Sequence, residues 1–196
     1  MSSIIDVIGA LIASTVIIIT IILTIINVQK IKYNTETMLN LYQSGDLIAS
    51  GLDLEYLEKV GRNLYNDEVA VTRATANEFV FRTRENRADA GMKIVRIFTT
   101  AVAGTTNTFR LQVSVNGLPP EFDSSPVFIQ SGDIFTYFDG SDPPVITTAE
   151  ADIHSVQVNL TFLAPAWNED PSRPNLEYPL TFWRFFKNAY IDNPRP

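Results

Sequence analysis

The stretch Val7–Ile26, VIGALIASTVIIITIILTII, decides the fold of this 196-residue chain. It runs for 20 residues without a charged side chain or a proline. At about 1.5 Å of rise per residue, a helix of this length covers roughly 30 Å, the thickness of a bilayer's hydrocarbon core. A single segment in lipid has to satisfy its own backbone hydrogen bonds, which only a helix does. The stretch is therefore predicted to be a membrane-spanning helix.

Hydroxyl residues inside the stretch are compatible with that helix. Ser14, Thr15, Thr20 and Thr24 are expected to donate their hydroxyls to carbonyl oxygens one turn earlier. A cleaved secretory signal is the alternative, but the apolar run is longer than a usual signal core and no basic region precedes it.

The orientation of the span stays open. The first basic residues, Lys30 and Lys32, follow it. By the positive-inside rule they would place the rest of the chain in the cytoplasm. A basic leader removed from in front of Met1 would reverse this orientation, and so would a different export route.

Asp6 lies at the edge of the apolar run. A carboxylate at membrane depth costs about 2.5–3.5 kcal/mol, so it usually has a partner. An α-amino group, supplied by a neighbouring copy, is the natural one, and the helix N-terminus also favours a negative charge. A helix-terminal charge lying among lipid headgroups, with no special role, is the alternative.

The first residues of the chain, SSIIDVIGALI at positions 2–12, resemble the start of a mature type IV pilin. That family has a short apolar lead, an acidic residue at the fifth mature position and a long apolar helix. With Met1 removed Asp6 is fifth, with aspartate in place of the usual glutamate. The resemblance implies assembly into a filament through the residues Ser2, Ile4, Ile5, Asp6, Val7, Ile8, Leu11 and Ile12.

Later segments resemble the PilW-type minor pilins and the J-type pseudopilins of type II secretion. The matching pieces, in the family's order, are Leu52–Gly61, Ala74–Phe81, Phe135–Gly140, Ile153–Thr161 and Thr181–Asn188. The resemblance implies a filament subunit, with a minor subunit favoured. It also implies a single-pass inner-membrane protein that later enters a periplasmic pseudopilus or a surface filament. The implied partners are copies of itself or other pilins, and the pilus or secretion assembly machinery.

The predicted fold class is α+β, a long N-terminal hydrophobic helix packed on an antiparallel β-sheet. Residues 1–27 are predicted to form the transmembrane or filament-core helix, residues 28–62 its amphipathic continuation, and residues 63–196 a β-rich globular head. A stretch at Ser44–Asp46 is expected to interrupt the helix, because glycine disfavours helix and Asp46 could cap a restart. Two apolar stripes flank it, and Gly61 is the predicted end. The stripes are Val28, Ile31, Met38, Leu39 and Tyr42, then Ile48, Leu52, Leu57 and Val60.

From Val69 the apolar period changes to two, which indicates strands. Asn116-Gly117 is a strong turn signal, and the absence of a βαβ rhythm favours an antiparallel sheet. Aromatic residues at 182–186 are expected to close the core or to form a subunit interface. The predicted strands are Glu78–Arg82, Lys93–Phe98, Phe109–Val115, Ile134–Phe138 and Val156–Phe162.

Composition and motifs limit the chemistry. The net charge is -7, which disfavours a nucleic-acid partner, and the chain has no cysteine. His154 is the single histidine, no nucleotide-binding or hydrolase motif occurs, and no catalytic residue is assigned. No cofactor is predicted, although Asp139 and Asp142 are weak calcium candidates and Asn168–Asp170 is a comparable acidic loop.

Three functions follow from these observations. The first is a structural filament subunit, including the variant of a major subunit in an unusual surface filament. The second is a single-span membrane protein with an extracytoplasmic binding or adhesin head. The third, an exported enzyme, is disfavoured because the motifs that would support it are missing.

Overall fold

The chain combines one long apolar helix with a large antiparallel sheet, which confirms the predicted α+β class. The structure is a computed structural model that describes residues 2–65, 68–86, 91–167 and 174–190. It divides into two compact units. The helical unit comprises Met1–Asn40 and Pro165–Leu176, and the sheet unit comprises Leu41–Ala164 and Glu177–Pro196.

Helix α1 runs from Ser2 to Gly51, so the interruption predicted at Ser44–Asp46 is wrong. Asp46 does not cap a second helix, and its carboxylate accepts a 2.7 Å hydrogen bond from the Tyr178 hydroxyl. Gly45 is buried within the helix against the Phe162 ring. Gly45 therefore does not break the helix, and its lack of a side chain allows the close contact with Phe162.

The helix ends through two irregular turns. A π-helical turn covers Leu52–Tyr56 and a 3₁₀ turn covers Leu57–Lys59. Gly61 follows them with a φ of 70°, the left-handed conformation expected just after a helix, and its N–H donates to the Arg82 carbonyl. Gly61 thus has the conformation predicted for it, although the regular α-helix ends ten residues earlier, at Gly51.

The described residues form a nine-stranded sheet in the order β1-β2-β3-β4-β6-β8-β7, with β5 beside β4 and β9 beside β8. The pairs among β1 to β8 are antiparallel, as predicted. The strands are β1 (Val71–Thr75), β2 (Glu78–Thr83), β3 (Lys93–Ala101), β4 (Phe109–Val115), β5 (Phe122–Asp123), β6 (Phe128–Ile129), β7 (Phe135–Phe138), β8 (Ser155–Pro165) and β9 (Asn175–Phe185).

All five predicted strands are present, as β2, β3, β4, β7 and β8. Asn116 and Gly117 both have positive φ, which confirms the tight turn after β4. Strands β1, β5, β6 and β9 were not predicted. Strand β9 contains Pro179, which lowers its apparent strand propensity but is compatible with a strand at the edge of a sheet.

Strand β9 pairs with β8 in an antiparallel register. The Phe186 N–H donates to the His154 carbonyl at 2.9 Å, and the Thr181 hydroxyl donates to the Asn159 side chain at 3.0 Å. The residue number therefore increases along β9 as the number of the paired residue on β8 decreases. This register places Trp183 opposite Gln157.

An aromatic cluster forms the centre of the sheet unit. Phe79 is fully buried, with its ring centroid 5.3 Å from that of Phe81 and 5.4 Å from that of Tyr137. Phe186 stacks on Phe79 at 5.6 Å and is 2% exposed, whereas Trp183 is 50% exposed. Of the aromatic residues predicted to close the core or an interface, Phe186 belongs to the core and Trp183 does not.

The two predicted helix stripes have different environments. Ile48, Leu52, Leu57 and Val60 are buried in the sheet unit, which confirms the second stripe. Val28, Ile31 and Leu39 are more than half exposed. The first stripe is therefore largely uncovered within the described chain.

In the helical unit, α1 contacts Trp167 through Tyr33 and Asn34, and these contacts were not predicted. The Asn34 side chain accepts a 2.8 Å hydrogen bond from the Trp167 backbone N–H and donates to the Trp167 carbonyl at 3.3 Å. The Tyr33 and Trp167 rings also meet edge to face, 6.0 Å apart. A side-chain amide matches a peptide group in donor and acceptor geometry, so it can engage both groups of one residue.

An ion-pair network ties the outer strands of the sheet together. The Glu78 carboxylate on β2 accepts a hydrogen bond from Arg96 on β3 and another, at 3.1 Å, from Arg73 on β1. Burial acts to raise the pKa of Glu78, but these hydrogen bonds and the two positive charges outweigh it and hold the pKa below its ordinary value.

This depressed pKa predicts an acid-dependent loss of stability. The contribution of Glu78 is present above the ordinary glutamate pKa of about 4.3 and is lost as the pH falls through the lower pKa of the folded state. We expect the free energy of unfolding to fall less steeply below about pH 4 in Glu78→Gln than in the unsubstituted protein. Urea denaturation of the detergent-solubilised chain at several pH values measures the slope. Glu150→Gln removes one negative charge at an exposed position and controls for net charge. Equal acid slopes for Glu78→Gln and the unsubstituted chain would contradict the assignment.

Candidate functional site: an uncovered apolar helix with one carboxylate

The first part of α1 exposes nearly all of its apolar surface. From Ile4 to Ile26, each valine, leucine and isoleucine side chain is at least 41% exposed. Its most apolar 18-residue window has a mean hydropathy of 2.7. One helix near the N-terminus is thus long and apolar enough to cross a membrane. In water such a surface would be strongly unfavourable, so the segment requires an apolar environment supplied by lipid or by other helices.

The polar side chains inside this segment are mostly satisfied by the helix itself. The hydroxyls of Thr15, Thr20 and Thr24 each donate to the carbonyl four residues earlier at 2.8 Å, as predicted. Ser14 makes no such bond, so the prediction for this residue is wrong. Because the three threonines consume their own donors, they add little cost to burial in an apolar medium.

Asp6 is exposed, and no described residue forms a hydrogen bond or ion pair with it. Met1, whose amine would be the nearest positive charge, lies outside the described residues. At 100° per residue Ala10 and Ala13 share the face of Asp6 and place small side chains nearest the carboxylate, and the larger Ile17 follows further along the same face. A carboxylate left in an apolar medium without a partner would be costly. Within the described residues Asp6 therefore has no oppositely charged partner.

The other predicted assembly residues lie around the same helical turns. Ser2 begins α1. The remaining residues are all exposed, and they are Ile4, Ile5, Val7, Ile8, Leu11 and Ile12. The bulky Ile4, Ile8, Leu11 and Ile12 lie on the opposite side of the helix from Asp6, because they are displaced by about half a turn. Helix α1 thus presents a carboxylate with small residues on one face and large aliphatic side chains on the other.

The weak calcium candidates lie in a turn. The Asp139 carboxylate accepts hydrogen bonds from the Ser141 N–H, the Ser141 hydroxyl and the Val145 N–H, at 3.1, 2.6 and 2.8 Å. The hydrogen bonds from Ser141 and Val145 hold the pKa of Asp139 below its usual value. Asp142 is exposed in the same turn. Within the described ranges no group of three or more potential metal-binding side chains occurs, and Asn168–Asp170 lies outside them.

His154 occupies a structural position. Its Nδ1 lies 2.8 Å from the Asp152 carbonyl, and its ring packs against Gly140, where an added Cβ would come within 2.7 Å. A cleft of about 280 Å³ elsewhere in the sheet unit is lined by residues of both charge signs, including Lys59, Arg62 and Glu121. His154 is not among its lining residues, so the single histidine and this cleft do not combine into an acid–base site.

Comparisons with known proteins found no matching family model, no matching curated protein and no matching solved structure.

Proposed function

We propose that the protein is a structural subunit of a type IV pilus-like filament or of a type II secretion pseudopilus, assembled through α1. The observation that carries the proposal is the uncovered apolar surface of α1 from Ile4 to Ile26, with Asp6 at its edge. The resemblance of residues 2–12 to the start of mature pilins supports filament assembly as the function of this surface.

The exposed helix supports two successive environments. Before assembly it lies in a membrane as a single span, where its side chains contact lipid. In the filament the same side chains contact the α1 helices of neighbouring subunits, so lipid is exchanged for protein. Because both environments are apolar, side-chain packing and the pairing of polar groups decide which one is favoured. An energy-driven assembly machine would extract the subunit from the membrane into the filament.

Asp6 would fix the axial position of each α1 helix relative to its neighbours in the filament. In an apolar core a lone carboxylate is stabilised when an opposite charge lies beside it, and we assign this role to the α-amino group of a neighbouring subunit. The small side chains of Ala10 and Ala13 beside Asp6 allow close approach of another helix. Such a pair specifies position more than it adds stability, because taking both charges out of water offsets much of their attraction.

The sheet unit would then lie outside the cytoplasm, on the filament exterior. Before assembly the protein is proposed to be a single-pass inner-membrane protein, and afterwards part of a periplasmic pseudopilus or an extracellular filament. The resemblance of the later segments to minor pilins and J-type pseudopilins favours a minor subunit over a major one.

The proposal is tested by disulfide cross-linking, because the chain has no cysteine of its own. Pairing of Asp6 with a neighbour's α-amino group offsets adjacent α1 helices by about one turn, so Ile12 of one subunit is expected to lie near Ile8 of the next. We therefore expect co-expressed Ile8→Cys and Ile12→Cys variants to form covalent dimers under oxidation in filaments that are sheared from cells and identified by negative-stain microscopy. Ile94→Cys, at an exposed position of β3, controls for collisions between subunits. Recovery of the protein as an uncross-linked monomer in the membrane fraction, with no filaments, would instead support a single-span protein with a binding domain.

A further inference from the structure

Strands β7, β8 and β9 present an aromatic stack on the outer face of the sheet. Trp183 on β9 and Phe138 on β7 stack across β8, with ring centroids 4.4 Å apart and planes 24° apart. Trp183 is nevertheless 50% exposed. The contact with Phe138 limits the orientations of the indole, while half of its surface remains available to another molecule.

A connected set of amides and hydroxyls lies beside the stack. The Oδ1 atom of Asn159 accepts hydrogen bonds from Gln157 at 3.2 Å and from Thr181 at 3.0 Å. Thr136 pairs with Gln157 across the strands. These two bonds orient the Asn159 amide, so its Nδ2 donors, the Gln157 carbonyl and the Thr181 oxygen remain available.

The side chains that form the stack and the amide set are uncharged, and the ionisable side chains Glu58, Arg184 and Lys187 lie beside them in a cleft that Trp183 also lines. Trp183, Phe138, Thr136, Gln157, Asn159 and Thr181 are all uncharged, although the chain as a whole carries a net charge of -7. A protein partner recognised through this face would have to bury these amides and hydroxyls, with a partner for each. A neutral ligand rich in hydroxyl groups has the matching chemistry.

We infer that this face binds a neutral oligosaccharide built from pyranose rings with equatorial substituents. The flat C–H face of such a ring fits against an exposed indole, where it buries apolar surface. Adjacent hydroxyls of the sugar act as donor and acceptor at once, and they pair with the Asn159 donors and the Gln157 acceptor. The inference does not rest on filament assembly, since the face belongs to the sheet unit.

The inference is tested by isothermal titration calorimetry of the full chain with cellohexaose and chitohexaose as probes. The chain is kept in a detergent without a sugar headgroup, because a maltoside would compete for the site. We expect weak but saturable binding of at least one probe, as is usual for a shallow site, and no binding of an anionic oligogalacturonate. Trp167→Phe leaves Trp183 as the single tryptophan, and its fluorescence should then change on titration with the same midpoint.

Variants separate binding from folding. Trp183→Ala should weaken binding about tenfold or more, and Asn159→Ala about fivefold, whereas Trp183→Tyr should retain most of the affinity. Thermal unfolding confirms that each variant is folded, and Trp167→Ala, in the helical unit, is a matched control that should bind normally. The inference is overturned if neither probe binds at about 10 mM, or if a folded Trp183→Ala variant binds as well as the unsubstituted chain. It is also overturned if Trp183→Ala prevents filament incorporation and no sugar binds, since the face would then be a subunit contact.

Discussion

Asp6→Asn is expected to abolish filament assembly while leaving membrane insertion intact. Asparagine preserves the size of the side chain but removes the negative charge, so the proposed pair with a neighbour's α-amino group cannot form. The neighbouring amine would then be left unpaired in an apolar core, which costs several kcal/mol per ion. Insertion into lipid should be retained, because the 20-residue apolar stretch is unchanged and removing a carboxylate makes insertion easier.

Two controls make the Asp6 experiment specific to charge. Asp6→Glu keeps the charge and should assemble, whereas Asp6→Ala should fail as Asp6→Asn does. Ser14→Ala changes a polar residue in the same apolar segment whose hydroxyl makes no hydrogen bond with a described residue, and it should assemble normally. Assembly is measured as the fraction of protein in sheared filaments, and insertion as resistance to alkaline extraction of membranes. Filaments of normal yield and length from Asp6→Asn would rule out the proposed role.

Gly45→Ala is expected to lower the free energy of unfolding of the sheet unit by about 1–3 kcal/mol, although alanine is the better helix former. A Cβ at this position would lie 2.7 Å from the Phe162 ring and 3.0 Å from Tyr178. Phe162 is fully buried, so its ring cannot move aside without disturbing the core. The steric cost should therefore exceed the gain of about 1 kcal/mol in helix propensity.

Gly51→Ala provides a matched control within the same helix. Outside the neighbouring backbone of the helix itself, no atom of the described chain lies within 4 Å of the Cβ that it would add, so the effect on helix propensity remains. It should raise the free energy of unfolding by up to about 1 kcal/mol, opposite in sign to Gly45→Ala. Urea denaturation of both variants in the same detergent, followed by tryptophan fluorescence, measures the difference. A stabilising effect of both substitutions would show that α1 does not approach Phe162 this closely.

The error at Ser44–Asp46 shows where propensity stops being informative. Judged by local preference alone, these three residue types favour helix caps and turns. Serine and aspartate side chains bond to nearby backbone groups in non-helical conformations, and glycine loses more backbone entropy in a helix than other residues do. In the folded chain Gly45 allows α1 to approach Phe162, and Asp46 bonds to Tyr178. Both contacts join residues far apart in sequence, which local reasoning does not consider.

The same limit applies to the candidate surfaces. Asp6 and the aliphatic residues around it were identified from sequence, because an isolated charge at the edge of an apolar run is visible without coordinates. The face around Trp183 was not, since it requires the pairing of β9 with β8 and the stacking of Trp183 on Phe138. A sequence-level signal was available, namely an aromatic residue at 183 in a stretch of alternating polarity, but its pairing partner was unknown.

The sequence by itself determined the apolar helix, the tight turn at Asn116-Gly117 and the five strongest strands. Each depends on hydropathy, period or backbone preference within a few neighbouring residues. Only the tertiary structure decided that α1 continues through Gly45, that Phe186 is buried while Trp183 is exposed, and that β9 joins the sheet. These outcomes depend on which distant residues come into contact, and packing against them outweighs local preferences of about 1 kcal/mol or less per residue.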